Sequence, residues 1–156
     1  TASRWSVFFR KTSQSRVLHA AAADTSTWTA ATVGGAAMSG QNLVNSGARR
    51  MAAGDGTVII VHSNDTSRST NGGQDWTKNS NDLPRTDARD VATDGQGNWI
   101  VVHDSGRVSI STDDGANWSE QTGVQDGGSN TNMRFPSGGA NVENLDAIAA
   151  DVFLPV

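Results

Sequence analysis

Three absences narrow the chemistry open to this 156-residue chain. It has no cysteine, which removes any disulfide framework, thiolate nucleophile or thiolate metal site. It has no tyrosine, and Lys11 and Lys78 are its only lysines among 12 basic residues, against 16 acidic ones. The net charge is −4 and the carboxylates are scattered. There is accordingly no cationic surface for nucleic acid and no basic amphipathic helix for a membrane surface. No apolar run approaches the ~20 residues that span a bilayer, so membrane insertion is not expected. No signal peptide opens the chain. Thr1 is compatible with a short complete protein that has lost its initiator Met, and equally with a fragment.

What is present is a β pattern. Only 35% of the residues are apolar, and Val, Ile and Trp fall in short clusters separated by Ser, Thr, Asn and the 17 glycines. Short β-branched and aromatic runs between turn-formers predict an all-β chain with tight loops. The length suits one domain with a core of its own.

The clusters repeat. "RRMAAGDGTVIIVH" (49–62) matches "RDVATDGQGNWIVVH" (89–103): Arg49 with Arg89, Ala52 with Ala92, Gly56 with Gly97, and Ile59–His62 with Ile100–His103. The extra residue of the second copy falls in the glycine turn. After each His comes another predicted strand and then a turn ending in Trp. These turns share the frame S-x-[D/N]-x-G-x-x-W, as Ser69, Asn71, Gly73 and Trp76 and as Ser111, Asp113, Gly115 and Trp118. Trp76 and Trp118 lie 42 residues apart, the length of one four-stranded propeller blade of roughly 40–45 residues. A worn copy lies upstream, where "WSVFFR" (5–10) and "RVLHA" (16–20) precede "AAADTSTW" (21–28). There Ala21, Ala23 and Thr25 replace the Ser, Asp and Gly of the frame, while Trp28 stays.

Each member of the frame has a folding task. Gly115 supplies positive φ. Asp113 accepts bonds from the turn's own amides, as Asx-turns do. Ser111 adds a hydroxyl to the same loop. Trp118 covers the hairpin and offers an indole N–H to a partner. Asn71 keeps this geometry without acid–base capacity, so a turn role is expected at both sites and a catalytic role at neither.

The frame, its spacing and its flanking strands resemble Asp-box (BNR) repeats over residues 5–122. Such repeats occur in the propellers of sialidases, some glycoside hydrolases, photosystem assembly factors, sortilin-type receptors and some phage tail or capsid proteins. The resemblance implies about three propeller-type blades (1–122), with the box a structural hairpin remote from any active centre. A Gly/Ser/Asn-rich loop (123–144) and a C-terminal strand (145–156) follow. In that strand "IAAD" (148–151) resembles "VATD" (91–94) and is expected to return to the first blade or to a partner.

Fold does not determine function, so function has to rest on particular residues. Sialidases of this resemblance use a tyrosine nucleophile, which the chain lacks. The carboxylate pairs Asp55/Asp94 and Asp87/Asp90 read as turn residues and as a solvated cluster, against a glycosidase's paired carboxylates. His62 and His103 occupy matching strand ends, with Arg10 in the worn copy, so a metal site with His19 is not expected. "DGQGNW" (94–99) is too short for a dinucleotide fingerprint, and no P-loop, G-x-S-x-G, H-E-x-x-H or calcium-loop pattern occurs. No cofactor is therefore expected. Asn64 forms a formal glycosylation acceptor, read as chance. Three of the tryptophans end hairpin frames and Trp99 sits in a strand, so most of Trp28, Trp76, Trp99 and Trp118 are expected to be core. Trp5, without a repeat partner, is the candidate glycan contact.

Three blades fall short of the roughly 4–8 that close a propeller, and open sheet edges need cover. The leading expectation is a non-enzymatic structural protein in a larger assembly, partnered by its own copies or other subunits. A phage virion component, a tail or capsid decoration protein, is its specific form. A carbohydrate- or receptor-binding module is the alternative, and a glycoside hydrolase relative the third.

Overall fold

The computed structural model describes residues 4–9, 16–21, 26–37, 48–103 and 107–121, and only the backbone at 4–9, 16–17, 37 and 48–49. The loop 123–144 and the closing strand 145–156 lie outside the described residues.

Strands β1 (Arg4–Phe9), β2 (Arg16–Ala21) and β3 (Thr29–Ala30) form an antiparallel meander, the first sheet. A short hairpin follows, β4 (Thr32–Val33) and β5 (Ala36–Ala37). The second sheet runs β6 (Ala48–Gly54), β7 (Thr57–His62), β8 (Asp65–Ser69) and β9 (Asp75–Asn79), each strand paired with its successor. The third repeats that order with β10 (Ala88–Thr93), β11 (Trp99–His103), β12 (Val108–Ser111) and β13 (Ser119–Glu120). No helix occurs among the described residues. The chain is all-β, and its second and third sheets are four-stranded meanders of propeller-blade type.

The central strand β7 explains how the sheets stack. T-V-I-I-V-H is a continuous rather than an alternating apolar run, the pattern of a strand covered on both faces, and all six residues are buried. Ile59 and Val61 point to one side, into a core with Leu83, Ala88, Val91, Trp99 and Val101 of the third-sheet side. Val58 and Ile60 point to the other, onto Ala31 and Trp76 with Val33 and Met51 at the margin. Each fully buried Ile is worth about 2–3 kcal/mol, so β7 is a main apolar contributor to the packing of the second and third sheets, beside the approach of β10 to β6.

One pairing was not legible in the sequence. The hairpin β4–β5 leaves the first sheet and adds to the outer strand of the second, with β4 parallel to β9 in the register Thr32↔Asp75 and Val33↔Trp76. Gly34 and Gly35, at φ of 57° and 76°, make its turn. Thr32 N donates to Gln74 O at 2.8 Å and Gly34 N to Trp76 O at 3.1 Å. Asp75 Oδ1 accepts from Thr32 Oγ1 and from Gly35 N. These bonds hold its carboxyl below the usual range, Thr32 contributing most. The hairpin thereby covers a long sheet edge.

Candidate functional site

The two Trp-capped turns have matching bonds. In each, the Ser Oγ accepts from the Gly N at 2.9 Å, Gly73 to Ser69 and Gly115 to Ser111. The Ser hydroxyl donates to the side-chain oxygen two residues on, Asn71 Oδ1 at 2.9 Å and Asp113 Oδ1 at 2.7 Å. That oxygen also accepts from a backbone amide four residues further along, Asp75 N and Asn117 N, at 2.9 Å in both turns. Asn117 Nδ2 adds a bond to Asp113 Oδ2 at 2.7 Å. Bonds from the Asn117 side chain, its amide and Ser111 hold the Asp113 carboxyl down to about 2. A general acid needs the opposite shift.

The position before the glycine carries a requirement that the frame did not reveal. Gly72 and Asp114 stand at φ of 69° and 59°, so two consecutive residues take positive φ in each turn. Asp tolerates that region better than most residues. The Trp residues differ. Trp76 is fully buried and its Nε1 donates to Gly73 O at 2.9 Å. Trp118 packs at the margin of the core shared by the second and third sheets, and its buried Nε1 has no partner, contrary to expectation. Gly115 is pressed against the second sheet: a Cβ there would lie 2.2 Å from Ile59 Cδ1.

The other candidate residues resolve in the same direction. The β6–β7 and β10–β11 turns abut, since a Cβ on Gly54 would sit 2.9 Å from Gly95 Cα. Asp94 nevertheless commits its carboxylate to its own turn, accepting from Gln96 N at 2.8 Å and Asn98 Nδ2 at 2.6 Å. Those bonds, Asn98's first, lower its affinity for a proton. Asp55 is an exposed turn residue at φ 45°. Asp87 and Asp90 are not a solvated cluster: Asp90 is buried in β10 and bonds the Val91 amide, and Asp87 faces His103. Asn64 donates its side-chain amide to Asn81. Trp76 and Trp99 are buried and Trp118 is half-buried, while Trp28, 39% exposed, is the exception among them. The Trp5 side chain lies outside the described residues.

Sequence reading missed a repeated Asp–His–Ser arrangement. His103 Nε2 lies 2.8 Å from Ser109 Oγ, with Asp87 Oδ1 at 3.5 Å from Nδ1. His62 Nε2 lies 3.3 Å from Ser67 Oγ, with Asp65 Oδ2 at 3.8 Å from Nδ1. The order matches a hydrolase triad, yet both serines and both histidines are 0% exposed, so no substrate reaches the hydroxyl. Burial lowers both imidazoles, His62 to about 4, and keeps them neutral. These pairs knit the second and third strands of each sheet together.

Two arginines also converge on one carboxylate. Arg85 grips Glu120 through Nε and Nη2, both at 3.0 Å, and Arg107 Nη1 donates to Glu120 Oε1. Arg85 first and then Arg107 hold the Glu120 carboxyl low. The chain fills this anion clamp itself. No group of three His, Asp or Glu among the described residues could hold a metal ion. No helix among them is long and apolar enough to cross a membrane.

Open grooves remain among the described residues, one of them polar, of about 170 Å³ at Arg68, Asn71, Asp75 and Asn79. On the outer face of the third sheet, a groove of about 280 Å³ is lined by Ala92, Ile100 and Ile110, with Thr93, Ser111 and Thr112 at its rim. Ile100 and Ile110 are cross-strand partners, and both are only half-buried.

No family model and no curated protein matches the chain. It is similar to a solved structure described as YCF48 bound to D1 peptide, at 17% identity and a TM-score of 0.49 over 69% of this chain. It is also similar to YCF48 from Cyanidioschyzon merolae, at 21% identity and a TM-score of 0.44 over 74% of this chain. The chain spans about a third of the length of those structures, 33% and 37% respectively.

Proposed function

We propose that this chain is a non-enzymatic structural or interaction protein built into a larger assembly. In its specific form it is a bacteriophage virion component, a tail or capsid decoration protein, whose Trp-capped turns are Asp-boxes. The carrying observation is a contrast. The polar groups that resemble catalytic sites are consumed inside the fold: Asp113 and Asp94 by their own turns, Ser109 and His103 by burial, Arg85 and Arg107 by Glu120. The apolar face at Ile100 and Ile110 stays open. That open apolar face is what supports a protein-docking role in this reading.

Immunogold electron microscopy of intact virions with antibody against the chain tests this reading. Label on the particles, and no hydrolysis of model glycosides by the purified chain, are expected. Hydrolysis abolished by Asp94→Asn, with unlabelled particles, would overturn it.

A second reading, a carbohydrate-binding module, is supported by the partial exposure of Trp28, at 39%. It expects a tryptophan fluorescence change with oligosaccharides that Trp28→Ala removes. Silence across a glycan array eliminates it.

A further inference from the structure

The polar groove on the second sheet differs from its counterpart on the third in a way the repeat does not require. Strand β9 alternates, so Asp75, Thr77 and Asn79 share one face while Trp76 turns into the core on the other. Thr77 pairs across to Arg68 on β8. With Thr70 and Asn71 of the turn, these residues line a groove of about 170 Å³. Sites that enclose drug-sized ligands measure roughly 300–1,000 Å³, so this one has room for a single sugar ring.

Arg68 and Asp75 line the groove without pairing with each other. Arg68 Nε donates to Asp114 O of the third sheet's turn at 2.7 Å, and its two Nη groups have no bond among the described residues. Asp75 accepts from Thr32 and Gly35 of the β4–β5 hairpin, both at Oδ1, with Oδ2 outside those bonds. Asn71 spends Oδ1 on Ser69 and the Asp75 amide, and its Nδ2 has no bond among the described residues. Asn79 uses Nδ2 on Thr66, with Oδ1 outside that bond. The third sheet shows the alternative. There the frame aligns Asp113 with Asn71 and Asn117 with Asp75, so carboxylate and amide have changed places. Asn117 Nδ2 then closes onto Asp113 Oδ2 at 2.7 Å, and Ile110 stands where Arg68 does. The third turn satisfies itself; the second holds its donors and acceptors apart.

We propose that this groove binds one neutral sugar unit of a glycan through its hydroxyls; this deepens the carbohydrate-binding reading above and rests on it. A hydroxyl both donates and accepts. That matches a slot edged by donors at Arg68 and Asn71 and by acceptors at Asp75 and Asn79, with Thr70 and Thr77 able to do either. Charge selects the class. Asp75 opposes an anion such as phosphate or an acidic sugar, and Arg68 opposes a cation, so a ligand without net charge fits. A zwitterion such as a free amino acid would use the two charges and leave the amides and hydroxyls idle. Both charged groups are fixed from behind by bonds to other elements, so they lose little freedom on binding.

A magnetic resonance titration of the isotope-labelled chain with the methyl glycosides of glucose, galactose, mannose and N-acetylglucosamine tests the proposal. Saturable shifts are expected at the Arg68 Nε–H and at the Asn71 and Asn79 side-chain amides with at least one of them. Asn71→Asp, a residue the third turn accepts in this position, removes the Nδ2 donor. It should weaken that glycoside roughly 3–10-fold, with circular dichroism unchanged. Thr77→Val, at an exposed position, should weaken it too and serves where the first variant fails to fold. Thr112→Val, on the apolar groove, should leave binding as it is. No shift with any glycoside, shifts elsewhere in the chain only, or affinity indifferent to both groove variants would overturn the proposal. So would phosphate or glycine moving the same signals at lower concentration than any glycoside. A glycan-array signal removed by Trp28→Ala but not by Asn71→Asp would sink the groove and leave the carbohydrate-binding reading standing. A silent array together with a silent titration sinks that reading itself.

Discussion

Replacing Gly115 by Ala tests the stacking of the sheets at one atom. Gly115 sits at φ +75°, and a methyl at its Cβ position would meet Ile59 Cδ1 at 2.2 Å and Trp118 Cζ2 at 3.4 Å. Two costs follow. Left-handed backbone costs a non-glycine residue roughly 1–2 kcal/mol. Forcing a methyl into a packed core costs typically about 1–3 kcal/mol more, because Ile59 Cδ1 is buried at the contact and has to shift within the core. The expected loss is roughly 2–5 kcal/mol, a large part of a domain's usual 5–15 or so. Gly56 provides the control: its φ is +82° and a Cβ there meets nothing within 4 Å, so Gly56→Ala should show the backbone cost alone. Urea unfolding followed by tryptophan fluorescence measures both. Adding Ile59→Val to Gly115→Ala makes a double-mutant cycle, with a favourable coupling of about 0.5–3 kcal/mol expected for residues in contact. Equal losses for the two glycine variants, or no coupling with Ile59, would refute the close packing of the third sheet's turn on β7.

Asp113→Ala should cost about 1 kcal/mol through its lost turn bonds, while Asp113→Asn should cost less, since Asn71 performs the same task in the second sheet; thermal melts compare them. Because the folded Asp113 carboxyl is held down to about 2, its contribution is present above the ordinary carboxylate range and lost as pH falls toward 2. Asp113→Asn should therefore flatten that part of the acid-unfolding curve. The buried histidines act at higher pH: with the folded His62 lowered from 6.5 to about 4, the unfolded chain binds protons that the folded chain refuses. Stability is full above pH 6.5 and falls as pH drops toward 4, by roughly 3 kcal/mol for His62. Urea midpoints at pH 7 and 4.5 should differ accordingly, and equal midpoints would contradict the buried neutral ring. Glu120→Gln should change stability by less than about 1 kcal/mol, as exposed ion pairs do, and a larger loss by calorimetry would show that the Arg85–Arg107 clamp does more than tie β13 down.

The repeat was readable because its determinants are local. Ser69 and Asn71, like Ser111 and Asp113, bond within their own turns, so the residues that make the bend are neighbours in sequence. The continuous apolar run of β7 fits its cover on both faces, which the packing of the sheets reveals. What escaped depends on distant partners. The parallel β4–β9 pairing joins residues more than 40 positions apart, through backbone bonds and the Thr32–Asp75 side-chain bond. The Arg85–Glu120 grip, the His103–Ser109 pair and the exposure of Trp28 depend likewise on which sheet lies opposite. The open Ile100/Ile110 face was latent in the repeat, which aligns Ile100 with the covered Ile59.

The central proposal is that the third sheet's Ile100/Ile110 face docks on protein, the chain's own copies included, while the polar groups that resemble catalytic sites serve the fold. Isoleucine δ1-methyl NMR across a dilution series from high to low micromolar tests it most directly. The account predicts that the Ile100 and Ile110 methyls shift with concentration while those of Ile59 and Ile60, already covered within the chain, do not. Concentration-independent Ile100 and Ile110 signals, or shifts confined to other methyls, would contradict it.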